Sequence, residues 1–322
     1  MKIIDFRFRP NTPEIVAGIA SSAMFKEMCK SINFTENMKG QPMEEIMADL
    51  DRHNVEFAVI TGRDCETTYQ TKPNNESVLD FVNKYPHKFM GFIGLDPHKG
   101  MKAVEQLKHG ITSLGLKGAA IDPYLAQIYV HDAKYYPIYA KCCELDVPII
   151  ITTGPATLVP NAVIDHVAPK YIDFVAKDFP ELKIVVSHGA YPWVNEMIAV
   201  VQRNANVYVE ISEYEHYPQS EAYIQAANTI IGDKLLYASA HPFVDFKQAL
   251  KIYEELPFTE EVRKKVMYKN AAKLLNLQDK FMDSMESKPK PFQKPDQNSQ
   301  DMEKMIIESV LKELSKRGVK MG

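Results

Sequence analysis

The stretch Ile3-Ile4-Asp5-Phe6-Arg7-Phe8-Arg9-Pro10 decides how the rest of the chain is read. A short apolar run carries two arginines two residues apart, and Pro10 ends its backbone ladder. In an extended segment residues i and i+2 point the same way, so Asp5, Arg7 and Arg9 share one side of the strand. On this segment alone the plain reading is a solvated strand end with an arginine paired to Asp5. A parallel barrel would give it another meaning, because the carboxyl end of each strand then faces the active-site mouth.

Further strand–helix units follow. Residues 11–41 read as an irregular excursion with Met24, Phe25, Met28 and Phe34 scattered through it, a place for a lid or an interface element. From Pro42 a helical stripe (Met43, Ile46, Met47, Leu50) leads into strand 57–60. Helix 75–82, strand 89–95, helix 101–107, strand 116–121 and helix 135–145 come next. Strand 148–151, helix 172–179, strand 183–186, helix 194–202, strand 207–211, helix 221–231, strand 235–238 and helix 246–253 complete the alternation. Eight such units over roughly 250 residues is the arithmetic of an α/β (β/α)8 TIM barrel. A doubly wound nucleotide-binding sheet would need a glycine-rich turn after the first strand, where Arg7-Phe8-Arg9-Pro10 stands.

On that topology the strand ends bring Arg7, Arg9, Arg63, Asp122, Tyr124, Thr152, His188, Glu210 and His241 to one face. Taken singly, each is a polar strand cap, and His188 alone reads as a core histidine bonded to a carbonyl. Taken together they form a candidate site. Lys117 reads as the partner of a buried carboxylate.

Composition limits the function. The 322 residues are 45% hydrophobic and 25% charged, ordinary globular values, and a net charge of −4 argues against a nucleic-acid partner. Cys29, Cys65, Cys142 and Cys143 lack metal-site spacing and read as reduced thiols of a cytoplasmic protein. No apolar run reaches the ~20 residues of a membrane span, and the first residues lack a signal peptide's apolar region.

Several segments resemble the amidohydrolase superfamily, in the branch of aminocarboxymuconate-semialdehyde decarboxylase, resorcylate decarboxylases and related lactone hydrolases. They are Asn75-Glu76, Tyr85–Phe89, Gly115–Gly118, Pro148–Gly154, Phe179–Gly189, Asn206–Tyr208 and Asn270–Leu275, and the likeness runs from residue 1 to about 277. It implies the same barrel. In metal-dependent members the first strand ends in His-x-His, the fifth in His and the eighth in Ser-Asp-x-Pro. This chain has Arg7 and Arg9, Thr152, and Ser239-Ala240-His241-Pro242 there, and keeps only His188. One imidazole beside two guanidiniums is a poor seat for a divalent ion. A rearranged set of His188, His241 and Glu210 is the less favoured alternative, so a site without metal or other cofactor is expected.

The remaining residues support anion and proton chemistry. Arg7, Arg9 and Arg63, with Tyr124, Thr152 and Glu210, would bind a small anionic carbonyl compound, guanidiniums taking the developing charge. His188 (a free imidazole titrates at about 6.5), with Asp122 and His241, would move protons. The first expectation is metal-independent lactone or ester hydrolysis or isomerisation. Decarboxylation or another carbon–carbon lyase reaction is second, and a non-catalytic binding or scaffold barrel third.

The barrel is expected over 1–279. A linker with Pro289, Pro291 and Pro295 over 280–301 leads to one amphipathic helix over 302–318, with Met302, Met305, Ile306, Val310, Leu311 and Leu314 at helical spacing. Linker and helix together resemble the encapsulation peptides that carry cargo into bacterial microcompartments, where shell or cargo proteins are the partners. Docking on its own barrel, or pairing in a homo-oligomer, is the plainer reading.

Overall fold

In this computed structural model the described residues are 1–22, 24–31, 34, 38–159 and 161–277. Eight parallel strands run in sequence order: β1 (Ile3–Asp5), β2 (Val55–Thr61), β3 (Phe89–Gly94), β4 (Gly118–Ile121), β5 (Ile149–Thr152), β6 (Ile184–Ser187), β7 (Val207–Glu210) and β8 (Leu235–Leu236). Each pairs with the next, as in the Thr152–Ser187 register of β5 and β6. The circuit returns to β1 through Phe6 N–H to Tyr237 O at 3.0 Å, Arg9 N–H to His241 O at 2.9 Å and a parallel bridge between Phe8 and His241. This is the hydrogen-bond pattern of a TIM barrel.

Strand faces follow from the period of two. Ile149 and Ile151 of β5, Ile184 and Val186 of β6, and Val207 and Val209 of β7 join the main hydrophobic cluster against the surrounding helices. Their neighbours Ile150, Thr152, Val185, Ser187 and Glu210 therefore point the other way, into the barrel. The helices obey the expected stripes. The helix over Met43–Arg52 buries Ile46 and Leu50, and that over Val194–Arg203 buries Val194, Met197, Val200 and Val201.

The excursion after β1 is not irregular. Helix α1 (Pro13–Ser21) starts at Thr12, whose hydroxyl accepts from Ile15 N, with Pro13 in its first turn; α2 spans Lys26–Ser31. Met24, Phe25, Met28, Phe34 and Met38 gather with Cys65, Tyr124, Leu125, Ala156 and Val159 in a second hydrophobic cluster, packed by Val16, Ile19 and Phe243. This cluster lies over the strand ends.

Lys117 is exposed just before β4 and does not serve a buried carboxylate. The four cysteines are free thiols. Among the described residues no helix is long and apolar enough to cross a membrane. The chain divides into Met1–Asn276 and Leu277–Gly322, and the expected linker and terminal helix lie outside the described residues.

Candidate active site

The strand ends deliver three guanidiniums to one cavity. Arg7, Arg9 and Arg63 line it with Phe25, Met28, Tyr124, Pro155, His188, Glu213, Ala240 and Phe243. Its free volume is about 10 Å³, room for about one water. A wider cleft of about 500 Å³, lined by Glu215, Tyr217, Glu221 and Leu256, carries none of these arginines.

The arginines differ in partners. Arg63 Nε and Nη2 donate to the two oxygens of Asp122, both at 3.1 Å, and its guanidinium lies 4.7 Å from the Phe25 ring centre. Burial opposes the Arg63 charge, yet Asp122 outweighs it and holds Arg63 above its ordinary value. The Asp122 carboxyl, pushed up by burial and pulled down by Arg63 and Arg7, ends below the usual range. Arg7 and Arg9 have no such answer. They are 3% and 8% exposed, and their side-chain bonds go to hydroxyls, Arg7 Nη1 to Thr152 Oγ1 at 3.2 Å and Arg9 Nη2 to Thr61 Oγ1 at 2.9 Å. Among the described residues neither has a carboxylate within ion-pair distance, and burial lowers both below the usual arginine value. Asp5, the partner expected for them, instead accepts the backbone N–H groups of Arg7 and Ser239, each at 3.0 Å, and burial lifts its carboxyl to about 7.

His188 follows β6 in a left-handed conformation (φ 66°), and Gly154 opposite has no room for a Cβ, which would stand 2.5 Å from the Cβ of His188. Its Nδ1 lies 2.9 Å from the Ser212 carbonyl, which can only accept, so Nδ1 carries the hydrogen and Nε2 is the basic nitrogen. Burial, aided by Arg7 and Arg9, pushes the ring down to about 4, so it is neutral at neutral pH.

Several expected members take supporting places. Glu210 is a clasp: it accepts from Ser187 Oγ, from His188 N at 3.1 Å and from Ser212 N at 2.8 Å. Thr152 and Asp122 hold arginines and do not line the cavity. Tyr124 does line it, with its hydroxyl buried and unpartnered. His241 is misplaced by the sequence reading: the left-handed turn at Ala240 (φ 55°) sends its ring outward, stacked on Phe8 at 4.9 Å, with Nδ1 3.3 Å from Val244 O. Glu213 was missed. It lies three residues past the end of β7, φ 70°, with Oε2 3.3 Å from His188 Nδ1, and burial raises it to about 8 against the pull of the arginines.

The amidohydrolase family pattern (Amidohydrolase) matches residues 34–277, and the chain belongs to that family. Gamma-resorcylate decarboxylase of Polaromonas sp. is 22% identical over 244 residues, covering 63% of this chain and 75% of the relative. Decarboxylase orsB of Emericella nidulans is 23% identical over 238 residues, covering 60% and 71%. An uncharacterized TIM-barrel protein of Bordetella bronchiseptica superposes with a TM-score of 0.72 at 28% identity, over 86% of this chain and 99% of its own. The 5-carboxyvanillate decarboxylase of Novosphingobium aromaticivorans, solved with bound manganese, gives 0.63 at 16% identity over 85% and 97%, a likeness of fold. Gamma-resorcylate decarboxylase, decarboxylase orsB and 5-carboxyvanillate decarboxylase are all decarboxylases, so the preference for lactone or ester hydrolysis drawn from the sequence is corrected.

The donor set here does not fit a manganese-type ion. Among the described residues no three His, Cys, Asp or Glu side chains converge as ligands. The trio His188, His241 and Glu210 fails because His241 faces Phe8 and both Glu210 oxygens are engaged. Two buried guanidiniums add repulsion.

Proposed function

We propose that the chain is a carbon–carbon lyase that removes carbon dioxide from a small hydroxybenzoate-like carboxylate. The observation that carries this is the pair Arg7 and Arg9, buried with hydroxyl hydrogen-bond partners and, among the described residues, no carboxylate at ion-pair distance, which leaves positive charge available where an anion would sit. The decarboxylases among the relatives support the choice of bond.

The chemistry asks three things of the residues. The substrate anion must be held, and two guanidiniums do so in a two-point fashion a lysine could not match. A substrate hydroxyl proton must be accepted, which His188 Nε2 does as a neutral base. Negative charge spread onto the substrate oxygens as the ring reorganises must be stabilised, again by the guanidiniums in a cavity closed by Phe25, Met28 and Phe243. The test is a panel of mono- and dihydroxybenzoates, with carbon dioxide measured in the headspace and the phenol by chromatography. Release that vanishes in Arg7→Ala and Arg9→Ala supports the reading. Arginine-dependent binding with no carbon dioxide from any member refutes it and leaves a binding barrel.

From the sequence alone we also propose that residues 302–318, tethered by 280–301, act as an encapsulation-type helix. The regular apolar spacing of Met302, Met305, Ile306, Val310 and Leu314 supports it.

A further inference from the structure

We propose that Glu213 is the proton donor to the carbon that loses carbon dioxide. The assignment rests on the lyase reading and names an acid for it.

Decarboxylation puts a proton where the carboxylate was, so some group at the cavity must supply one. The lining offers few. The hydrogens of Arg7, Arg9 and Arg63 belong to strong cations. Tyr124 has a hydroxyl that burial makes a weaker acid than usual. His188 spends its one ring hydrogen on the Ser212 carbonyl. The segment after strand β8 presents only the apolar side chains of Ala240 and Phe243, which carry no proton to give. Asp122, outside the lining, is locked in the two-point pair with Arg63. Glu213 remains. Its only ion-pair neighbour among the described residues is the Nδ1 edge of neutral His188, and no arginine lies within ion-pair distance.

Its backbone is built for the position. A glutamate at φ 70° is strained, and His188, Ala190 and Ala240 around the same mouth share that left-handed region. Both neighbours of Glu213 are tied down. Ser212 N–H is held by Glu210 at 2.8 Å. Tyr214 bonds Ile211 O through its N–H at 3.0 Å and Thr157 Oγ1 through its hydroxyl at 3.2 Å. A side chain held this way is placed, and protonation by burial fits the role.

In the step, the Glu213 O–H bond breaks and its proton bonds to the ring carbon that carries the carboxylate. The electron pair of the carbon–carboxylate bond then returns to the ring, and carbon dioxide leaves. Glu213, now a carboxylate beside three guanidiniums, retakes a proton from water. One proton is consumed per carbon dioxide released.

The test compares the full-length wild type with Glu213→Gln and Glu213→Asp, on the hydroxybenzoate that the wild type turns over fastest. Benzoate serves as the binding probe. Glu213→Gln is expected to lower kcat by about 100-fold or more while benzoate affinity stays within about threefold. Glu213→Asp keeps an acid and recovers part of the rate. In heavy water the wild-type product gains one deuterium at the vacated carbon, and its solvent isotope effect on kcat is lost with the amide. A Glu213→Gln variant within tenfold of wild-type kcat overturns the assignment, as does a loss matched by an equal loss of benzoate binding. If the wild type releases no carbon dioxide, the lyase reading itself fails and takes the assignment with it. The wild-type arm and the variant arm therefore fail separately.

Discussion

Replacing Arg7 by Met should make the unliganded protein more stable and the anion site worse. Arg7 is 3% exposed, and its one side-chain hydrogen bond is to the neutral Thr152 hydroxyl. Burying an ion costs several kcal/mol even after relaxation, a bond to a neutral partner returns about 1 kcal/mol, and Asp122 and Glu210, both beyond ion-pair distance, offset only part of the rest. Methionine keeps most of the stem volume and removes the charge. The net gain expected is about 1–3 kcal/mol, which for a domain of this size is about 2–10 °C in Tm. Anion affinity moves the other way. Loss of a charge-assisted contact of about 1.5–3 kcal/mol weakens binding about 10- to 150-fold. Thermal unfolding with and without benzoate, beside calorimetric titration, reads both quantities on one sample. A fall in Tm of several degrees would refute the argument, because it would show that Arg7 holds the barrel end together. An unchanged benzoate affinity would show that the guanidinium faces no ligand.

Asp122→Ala strands the Arg63 charge and should cost about 3–5 kcal/mol, a loss that added formate partly restores by refilling the fork. Stability should fall as pH rises from about 6.5 to 8. Over that window these acids are already ionised in the unfolded chain, while the fold still holds protons on Asp5 (about 7), Glu213 (about 8) and Glu215 (about 8), so stability is lost until the fold gives them up. Below about 6.5 the gain from these acids is offset as buried neutral His188 and His241 (each about 4) oppose the protonation that the unfolded chain accepts. The groups that set Glu213 are burial, His188, Glu210 and the cations Arg7, Arg9 and Arg63, so Glu213→Gln should flatten the upper part of a Tm-against-pH curve. Activity should drop through about pH 8 as the Glu213 proton is lost. Residues 280–322 fused to a fluorescent protein should form foci beside microcompartment shell proteins. A diffuse fusion, with a chain cut after residue 279 that aggregates, would show a structural helix instead.

The barrel was legible because its signals are local: apolar runs ending in polar residues, and stripes such as Ile46 and Leu50. The side shared by Arg7 and Arg9 was legible for the same reason, since both line the cavity. What escaped depends on contacts distant in sequence or on backbone turns. Helices α1 and α2 bury few residues on their own, and Phe25 and Met28 join a cluster whose members include residues distant in sequence such as Tyr124, Ala156 and Phe243. His241 and Glu213 escaped together. Extending strand alternation past β7 and β8 assumes extended backbone, but Glu213 and Ala240 are left-handed, which turns Glu213 into the cavity and His241 out of it. A trace was present in the run Ser212-Glu213-Tyr214-Glu215, acidic residues just beyond a strand end.

A cavity with space for one water, roofed by Phe25 and Met28, also has a kinetic meaning. No benzoate ring fits it as it stands, so a ligand can enter only during the fraction of time the roof is raised. Apparent affinity is then the intrinsic affinity multiplied by that fraction. A roof raised about 1% of the time makes every dissociation constant read about a hundred times too weak. Association would run well below the encounter rate and stay nearly independent of viscosity. Trimming Phe25 would raise that fraction and speed ligand entry, while also removing a lining side chain and the ring packed on Arg63.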